Sequence, residues 1–472
     1  MMQSQYSIGI DLGTTHCVLA AMSSTQENAI PEVYAIPQFV APGQLEAKSA
    51  LPSFIFLPHH AQFESDQIQL PWSQSHSLVG EFARELGSKT PDRLISSAKS
   101  WLCHGQIDRH AKLLPIEAPE DTEKLSPFES TKLFLSHLQQ AWDQQHSDAP
   151  LAEQNLVVTV PASFDPAARE MTLEAAQQIG LHNASLLEEP QAALYSWLAQ
   201  EDNDWRQQVT VGDMILVVDI GGGTTDLSLI AVTEENGSLQ LTRVAVGDHV
   251  LLGGDNMDLT LAHVVAQKLA QSGTRLQQWQ INGLAHACRS AKETLLANND
   301  VQSVPLVVPS RGSGLMGGTL RSELTRDEVN QILLDGFFPQ VEINEPLQRR
   351  GRAALSTVAL PYEQDPAVTR HLAHFLTKQK EAAQQLLPDH AQHAFLRPSA
   401  VLFNGGVAKA DAIVQRITHV LNHWLTQDGA DMVKRLEGID VDQAVAKGAS
   451  YYAQVKQGEG LRIRGVPLPV IM

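Results

Sequence analysis

Hydrophobic positions along the chain follow two periods, and the two periods place its elements. Residues 7–15 read Ser-Ile-Gly-Ile-Asp-Leu-Gly-Thr-Thr, and residues 216–226 read Leu-Val-Val-Asp-Ile-Gly-Gly-Gly-Thr-Thr-Asp. Both are short, β-branched-rich runs that end in Asp and pass into Gly and Thr, the pattern of a buried strand entering a tight turn. Repetition of one strand-turn element predicts two related lobes in an α/β fold, residues 1–208 and 209–472. Between the copies, Ser126-Pro127-Phe128-Glu129 is a capping box with Pro at the first helical position, and Leu133, Phe134, Leu138, Ala141 and Trp142 keep helical spacing behind it. Residues 155–160 form a strand stopped by Pro161; Asp165-Pro166 opens a helix that Gly180 closes.

Region 40–125, richer in Pro, Gln and His, predicts a subdomain inserted into the first lobe. Helical patterns at 255–271 and 282–297 flank Gly273 and predict a second inserted subdomain, about 253–325. Residues 401–425 return to strand-turn-helix, and 441–455 is a last helix packing back toward the first lobe. The stretch 337–395, punctuated by Pro346, Pro361 and Pro366 and carrying Arg349, Arg350 and Arg352, predicts an extra insertion with a solvated or partner-facing surface.

Composition narrows the function classes. The 472 residues are 43% hydrophobic, enough for sizeable cores, and carry a net charge of −19. That acidity argues against a nucleic-acid binder, which needs basic patches to neutralise phosphates, yet permits one nucleotide held by backbone amides and a metal ion. Cys17, Cys103 and Cys288 lie far apart, with no CxxC spacing, so they predict buried small hydrophobes in a reducing compartment. The start lacks a basic and apolar leader pattern, and no apolar run nears the roughly 18 residues a membrane span needs. A cytoplasmic protein without membrane contact is the expectation.

The two Asp-Gly-Thr turns carry the chemistry. Glycine lets backbone amides approach a ligand closely, and the hydroxyls of Thr14, Thr15, Thr224 and Thr225 add donors for phosphate oxygens. Asp11 and Asp219, at strand ends, suit a hydrated Mg²⁺, which keeps its waters and needs one or two carboxylates. No GxxxxGK[ST] P-loop is present. Gly312-Ser-Gly314-Leu-Met-Gly317 matches GxGxxG, but Pro305 and Pro309 break the strand that should precede it, so a hairpin loop is expected. His371/His374 and His390/His393 have no neighbouring cysteines and are expected on solvated helix faces.

The set Ile-Gly-Ile-Asp11-Leu-Gly-Thr-Thr, Val158-Thr-Val-Pro161-Ala-Ser-Phe164, Glu189-Pro-Gln-Ala-Ala, Asp219-Ile-Gly-Gly-Gly-Thr-Thr-Asp226 and Gly253-Gly-Asp255 resembles the ATPase domain of the heat-shock 70 (Hsp70) chaperone family. Ala287-Cys-Arg-Ser-Ala-Lys292 and Asp442-Gln-Ala-Val-Ala-Lys-Gly-Ala449 fit as well, and the order holds from residue 6 to about 460. The resemblance implies an actin-like fold, two lobes each split in two, with ATP or ADP and Mg²⁺ in the central cleft. It assigns Asp11 and Asp219 to the waters of the metal, and Glu189 and Asp226 to an acidic pair around metal and attacking water. Lys99 would place that water against the γ-phosphate, and Thr224, like Thr14 and Thr15, would contact phosphate through its hydroxyl; Pro161 and Arg169 would relay between the lobes. Gly13, Thr14, Thr15, Gly221, Gly222, Gly223 and Thr225 would cradle phosphates. Gly253, Gly254, Asp255, Lys292, Gly405, Gly406, Lys409 and Asp442 would complete the nucleotide site.

Departures from that pattern are specific. Glu293 stands where an arginine usually faces the adenine, Leu296 where a ribose-contacting serine is common, and Arg289 replaces a glutamate. Val407 and Lys409 replace a serine and an arginine. Because a planar arginine stacks on a base and a glutamate does not, altered base recognition is expected with phosphate binding intact. Ser185, Glu188 and Gln191 replace Arg, Asn and Thr on the surface used by J-domain cochaperones, so standard coupling is doubtful. After Leu461-Arg-Ile-Arg464 only the apolar tail from Gly465 to Met472 remains, so the expectation is a short or truncated divergent member without the β-sandwich substrate domain. Two functions are expected in order: a slow Mg²⁺-dependent ATPase whose lobes open and close, then a nucleotide-sensing module with negligible hydrolysis. A small-molecule kinase on the same fold would need a base beside an acceptor pocket, and the subdomain-insertion pattern resembles the chaperones instead.

Overall fold

The computed structural model describes residues 4–26, 29–59, 61–73, 77–200, 205–235, 238–248, 250–308, 320–348, 360, 362–380, 393–458 and 463–465. The GxGxxG run at 312–317, Arg349, Arg350, Arg352, Pro361, His390 and the tail 466–472 lie outside the described residues.

Two six-stranded sheets organise a mixed α/β chain. In the first, β1 (Tyr6–Leu12) pairs antiparallel with β2 (His16–Ser23) and parallel with β3 (Asn155–Val160), which pairs parallel with β4 (Ser185–Glu188). In the second, β5 (Met214–Ile220) pairs antiparallel with β6 (Thr225–Glu235), and β6 pairs antiparallel with β7 (Ser238–Val246). β5 also pairs parallel with β8 (Ala400–Asn404), which carries β9 (Lys434–Leu436) at its edge. The final β10 (Arg464–Gly465) lies parallel to β7. The repeated sequence element is thus a repeated topology: β1 and β5 each sit between an antiparallel hairpin partner and a parallel neighbour. Both strands are buried almost throughout, which explains their continuous apolar runs.

Helices follow their sequence signals. α1 (Glu81–Lys89) covers the small sheet of the 40–125 region, whose Phe54, Phe56 and Phe82 form a separate core with Phe39 just before it. The short α2 (Ala98–Leu102) carries Lys99. α3 (Pro127–Gln145) starts on the Ser126–Glu129 capping box, and α4 (Pro166–Gln178) on Asp165, which accepts from the Ala168 amide at 2.7 Å. α5 (Glu189–Gln200) follows β4 directly. α6 (Gly254–Gln271) and α7 (Gln278–Ala297) pack together beside the hairpin Ser303–Val308/Leu320–Thr325. α8 (Val368–Lys378) and α9 (Asp411–Gln427) cover the second sheet, and α10 (Ala444–Val455) ends the sequence of helices.

α10 joins the two sheets. Its Val445, Ala449 and Ala453 belong to one core with Val157 and Leu187 of the first sheet and Ile215, Val217 and Leu402 of the second. Gly448 makes this approach possible, since a Cβ there would overlap the Ala192 carbonyl of α5.

The stretch 337–395 departs from its expected solvated character. Phe337, Phe338, Val341, Leu372, Phe375 and Leu376 are buried in the core of the second sheet. The Trp424 indole donates to the Val341 carbonyl at 2.7 Å, and Arg370 forms a bidentate pair with the buried Asp365 at 2.7 and 2.9 Å. His371 is likewise buried, with Nε2 2.9 Å from the Asp365 carbonyl, whereas His374 is exposed as expected. A helix with apolar Val368, Leu372 and Phe375 facing a sheet draws His371 inward with them.

Candidate functional site

The turns after β1 and β5 face each other across a cleft of about 450 Å³. The first turn, with Gly13, Thr14 and Thr15, closes the β1–β2 hairpin; the second, with Gly221 to Thr224, closes β5–β6 through a Gly221 N–H bond to the Thr224 carbonyl at 2.9 Å. The turns fit closely, since a Cβ on Gly222 would overlap the Thr15 hydroxyl. Gly405, beyond β8, adopts φ +84°, and a Cβ there would overlap the Ile220 carbonyl and stand 2.7 Å from Asp219 Oδ1. Glycine alone suits that position.

Strand register sets the acidic side chains. Asp11 ends β1 and accepts from the Thr159 hydroxyl of β3 at 3.1 Å. Asp219 ends β5 opposite Asn404 of β8, whose Nδ2 donates to Asp219 Oδ2 at 3.0 Å. Asp226 stands across the hairpin from Asp219 but does not line the cleft; it accepts from the Ser163 amide and hydroxyl at 3.1 and 2.6 Å. Glu189, first residue of α5, is paired with Lys99 of α2, and both line the cleft while nearly buried.

Charge is out of balance here. Burial pushes Asp219 up to about 7, with Asp226 and Asp11 adding to it and Asn404 opposing. Burial likewise pushes Glu189 up to about 8 against the pull of Lys99, and the three aspartates reinforce the shift. Burial disfavours the Lys99 ammonium, but the charges of Glu189 and Asp11 outweigh that and hold it above the usual lysine range. Four carboxylates thus share one ammonium, an arrangement a divalent cation would relieve. Among the described residues no three His, Cys, Asp or Glu side chains group as direct metal ligands. Asn404 Oδ1, buried in the cleft wall without a protein partner, is a further acceptor there.

The cleft gathers Asp11, Gly13, Thr14, Thr15, Lys99, Glu189, Asp219, Gly221, Gly222 and Thr224 at one end. Gly254, Asp255, Lys292, Gly405, Gly406, Lys409 and Asp442 line the remainder. Gly223, Thr225 and Gly253 do not line it. The Thr225 hydroxyl is buried and donates to the Leu252 carbonyl at 2.7 Å, while Gly253 packs over the Gly221 and Gly222 carbonyls. Two lining groups are committed to protein partners. Lys292 pairs with Asp258 at 2.7 Å, and Lys409 pairs with Asp442 at the rim. Leu296, Val407 and Ile413 make this end apolar, with Glu293 beside them. Arg169 bonds Glu188 at 3.0 Å and the Ala162 carbonyl at 2.8 Å, and Glu188 also pairs with Arg243 of β7.

Sequence reasoning assigned no role to Asn404, Thr159 or Ser163, which hold the three aspartates. Thr159 and Ser163 lie inside the quoted 158–164 motif and Asn404 beside the Gly405–Gly406 pair, so proximity to the motifs was their signal.

Comparison with known proteins agrees with these elements. The family model described as Hsp70 protein matches residues 7–349, well over half of the chain. The chaperone protein HscA of Proteus mirabilis (strain HI4320) is 30% identical over 314 residues, covering 64% of this chain and 44% of that protein. The HscA of Enterobacter sp. (strain 638) is 28% identical over 340 residues, 70% of this chain and 47% of that protein. The chain therefore spans about half the length of the curated relatives it matches. Among the described residues no helix is long and apolar enough to cross a membrane. With its two glycine turns, its clustered carboxylates and a match that runs through all of them up to residue 349, the chain belongs to the Hsp70 family.

Proposed function

We propose that the chain is a slow, Mg²⁺-dependent ATPase of the Hsp70 type, built on an actin-like fold whose two lobes close on ATP and reopen after hydrolysis to ADP. One observation carries this reading: Asp11, Lys99, Glu189 and Asp219 converge on a single cleft between two glycine turns. Phosphoryl transfer depends on positioning and charge neutralisation more than on a covalent nucleophile, and these residues supply both. A hydrated Mg²⁺ would neutralise the phosphates, held through water by Asp11 and Asp219. Thr14, Thr15 and Thr224 donate hydroxyls to phosphate oxygens. Lys99, aimed by Glu189, orients the attacking water, and Glu189 completes the acidic surroundings of metal and water. Asp226 acts from behind, fixing Ser163 after β3.

At the other end, Glu293 and Leu296 replace base- and ribose-binding groups, and Lys409 is drawn to Asp442. Base recognition is therefore weaker or altered relative to ordinary family members, while phosphate binding is retained. The output is a conformational switch read by protein clients or cochaperones, since lobe closure follows from nucleotide binding the two states unequally. Glu188, tied between Arg169 and Arg243, changes the coupling to standard J-domain cochaperones. The cytoplasm is the compartment this reading places it in.

Nucleotide binding is tested by thermal denaturation with and without Mg-ATP. The wild type should melt higher with nucleotide, because a ligand that binds only the native state stabilises it by mass action. Gly405→Ala, strained at positive φ and overlapping the Ile220 carbonyl, should lose that shift. A shift of equal size in the variant would remove the cleft as the nucleotide site.

A further inference from the structure

Ser97 departs from the behaviour of an ordinary helix cap. It is the residue before α2, where serine normally accepts a bond from its own helix, yet its side chain caps nothing there. Its backbone sits in the left-handed region at φ 54°, and among the described residues no other non-glycine has a positive φ. L-residues avoid that region, and such conformations persist only where surrounding contacts impose them.

One contact on this residue comes from the opposite side of the cleft. The Ser97 hydroxyl donates to Asp255, the second residue of α6, and the Asp255 amide bonds the Gly222 carbonyl of the phosphate turn at 2.7 Å. Arg289 of α7 donates to the other Asp255 oxygen and, through Nε, to Asp258 at 2.8 Å. The Arg289 guanidinium also lies over the ring of Phe54, 5.9 Å from its centroid, in the same part of the chain as Ser97. The Asp255–Arg289 pair from α6 and α7 thus meets two residues of the 40–125 region, Ser97 and Phe54. Separation of the two sides breaks the Ser97 hydroxyl bond, so that the residue keeps the bonds its carbonyl accepts from the Ser100 and Trp101 amides, at 2.9 and 3.3 Å, but loses its tie to the far side. Lys99 is two residues further on, in a helix of five residues, and its pairing with Glu189 depends on how that helix is set.

We propose that Ser97 is a positioning residue whose bond to Asp255 across the cleft holds Lys99 against Glu189 only while the cleft is closed. Closure and the placement of the hydrolytic lysine are then one event, with Arg289 fixing Asp255 as the receiving group. The role in hydrolysis rests on the ATPase reading above; the placement of Lys99 does not.

The test compares the full chain with Ser97→Ala and Ser97→Asn, asparagine being the side chain that best tolerates the left-handed region while keeping a donor. A hydrogen bond to a charged group is worth about a tenfold change at its low end. Single-turnover hydrolysis should fall about tenfold in Ser97→Ala, with the ATP dissociation constant changed less than about threefold, and Ser97→Asn should recover most of the rate. In nucleotide-free protein, acetylation of Lys99 followed by mass spectrometry should be about tenfold faster in Ser97→Ala. Equal Lys99 reactivity in Ser97→Ala and wild type, or no recovery in Ser97→Asn, would overturn the proposal. A wild type without turnover would refute the ATPase reading alone, and Lys99 reactivity would still decide the role of Ser97.

Discussion

Replacement of Asp219 by Asn should make the protein less sensitive to alkali. Asp219 is nearly buried, 5% exposed, and its pKa is raised from 3.8 to about 7. Between those values the native state holds a proton that the unfolded state has released, so stability falls as pH rises and the loss is complete above about 7. At about 1.4 kcal/mol per pH unit, the two units between pH 5 and 7 amount to about 3 kcal/mol from this carboxylate. Asparagine has nearly the same shape and retains an oxygen for the Asn404 donor, but it cannot ionise. It also removes one of the charges that raise Glu189, which adds to the effect in the same direction. Urea denaturation at pH 5, 6, 7 and 8, without nucleotide or divalent cation, should show the wild type losing about 3 kcal/mol more than the variant across the series. Parallel profiles would refute the picture of a carboxylate held against its own charge for the sake of the site.

Two further outcomes test the frame around the cleft. Gly448→Ala places a methyl into the Ala192 carbonyl where α10 meets α5, and should destabilise by about 1–3 kcal/mol in thermal or urea denaturation; a wild-type transition would contradict the packing that joins the two sheets. Burial pushes the Cys17 and Cys288 thiols up to about 12 and raises Cys103 as well, so thiolate is scarce at pH 8. All three should resist iodoacetamide in native protein and react after unfolding, as read by mass spectrometry; rapid native modification of Cys17 would contradict its burial behind the first turn.

What the sequence made legible was local. The strand-turn echo could be read because a buried strand ending in Asp-Gly-Thr needs only its own ten residues to declare itself. The Ser126–Glu129 capping box and the Asp165-Pro166 helix start are equally short-range. Family resemblance supplied Lys99 and Glu189 as separate roles, but their pairing joins residues 90 positions apart and appears only in the fold. The same holds for Asn404 and Asp219, brought together by the parallel register of β8 on β5. The stretch 337–395 misled because Phe338 and Val341 lie in irregular chain around Pro339, just past a π-helix that ends at Phe337, where no period announces burial. Their place in the core is decided by the second sheet and α9, which the local pattern does not contain. No local signal marks Ser97, because its partner Asp255 lies 158 positions away.

The central claim is that Lys99 and Glu189 serve hydrolysis of a nucleotide held by the two turns. Single-turnover hydrolysis of labelled ATP with Mg²⁺, on wild type and Lys99→Ala side by side, tests it most directly, with binding measured on the same samples. The expected result is slow hydrolysis in the wild type, none in Lys99→Ala, and ATP bound by both. Equal turnover in the two proteins would contradict the role of Lys99, and ATP bound without hydrolysis in either would make the chain a nucleotide-sensing module instead of an ATPase.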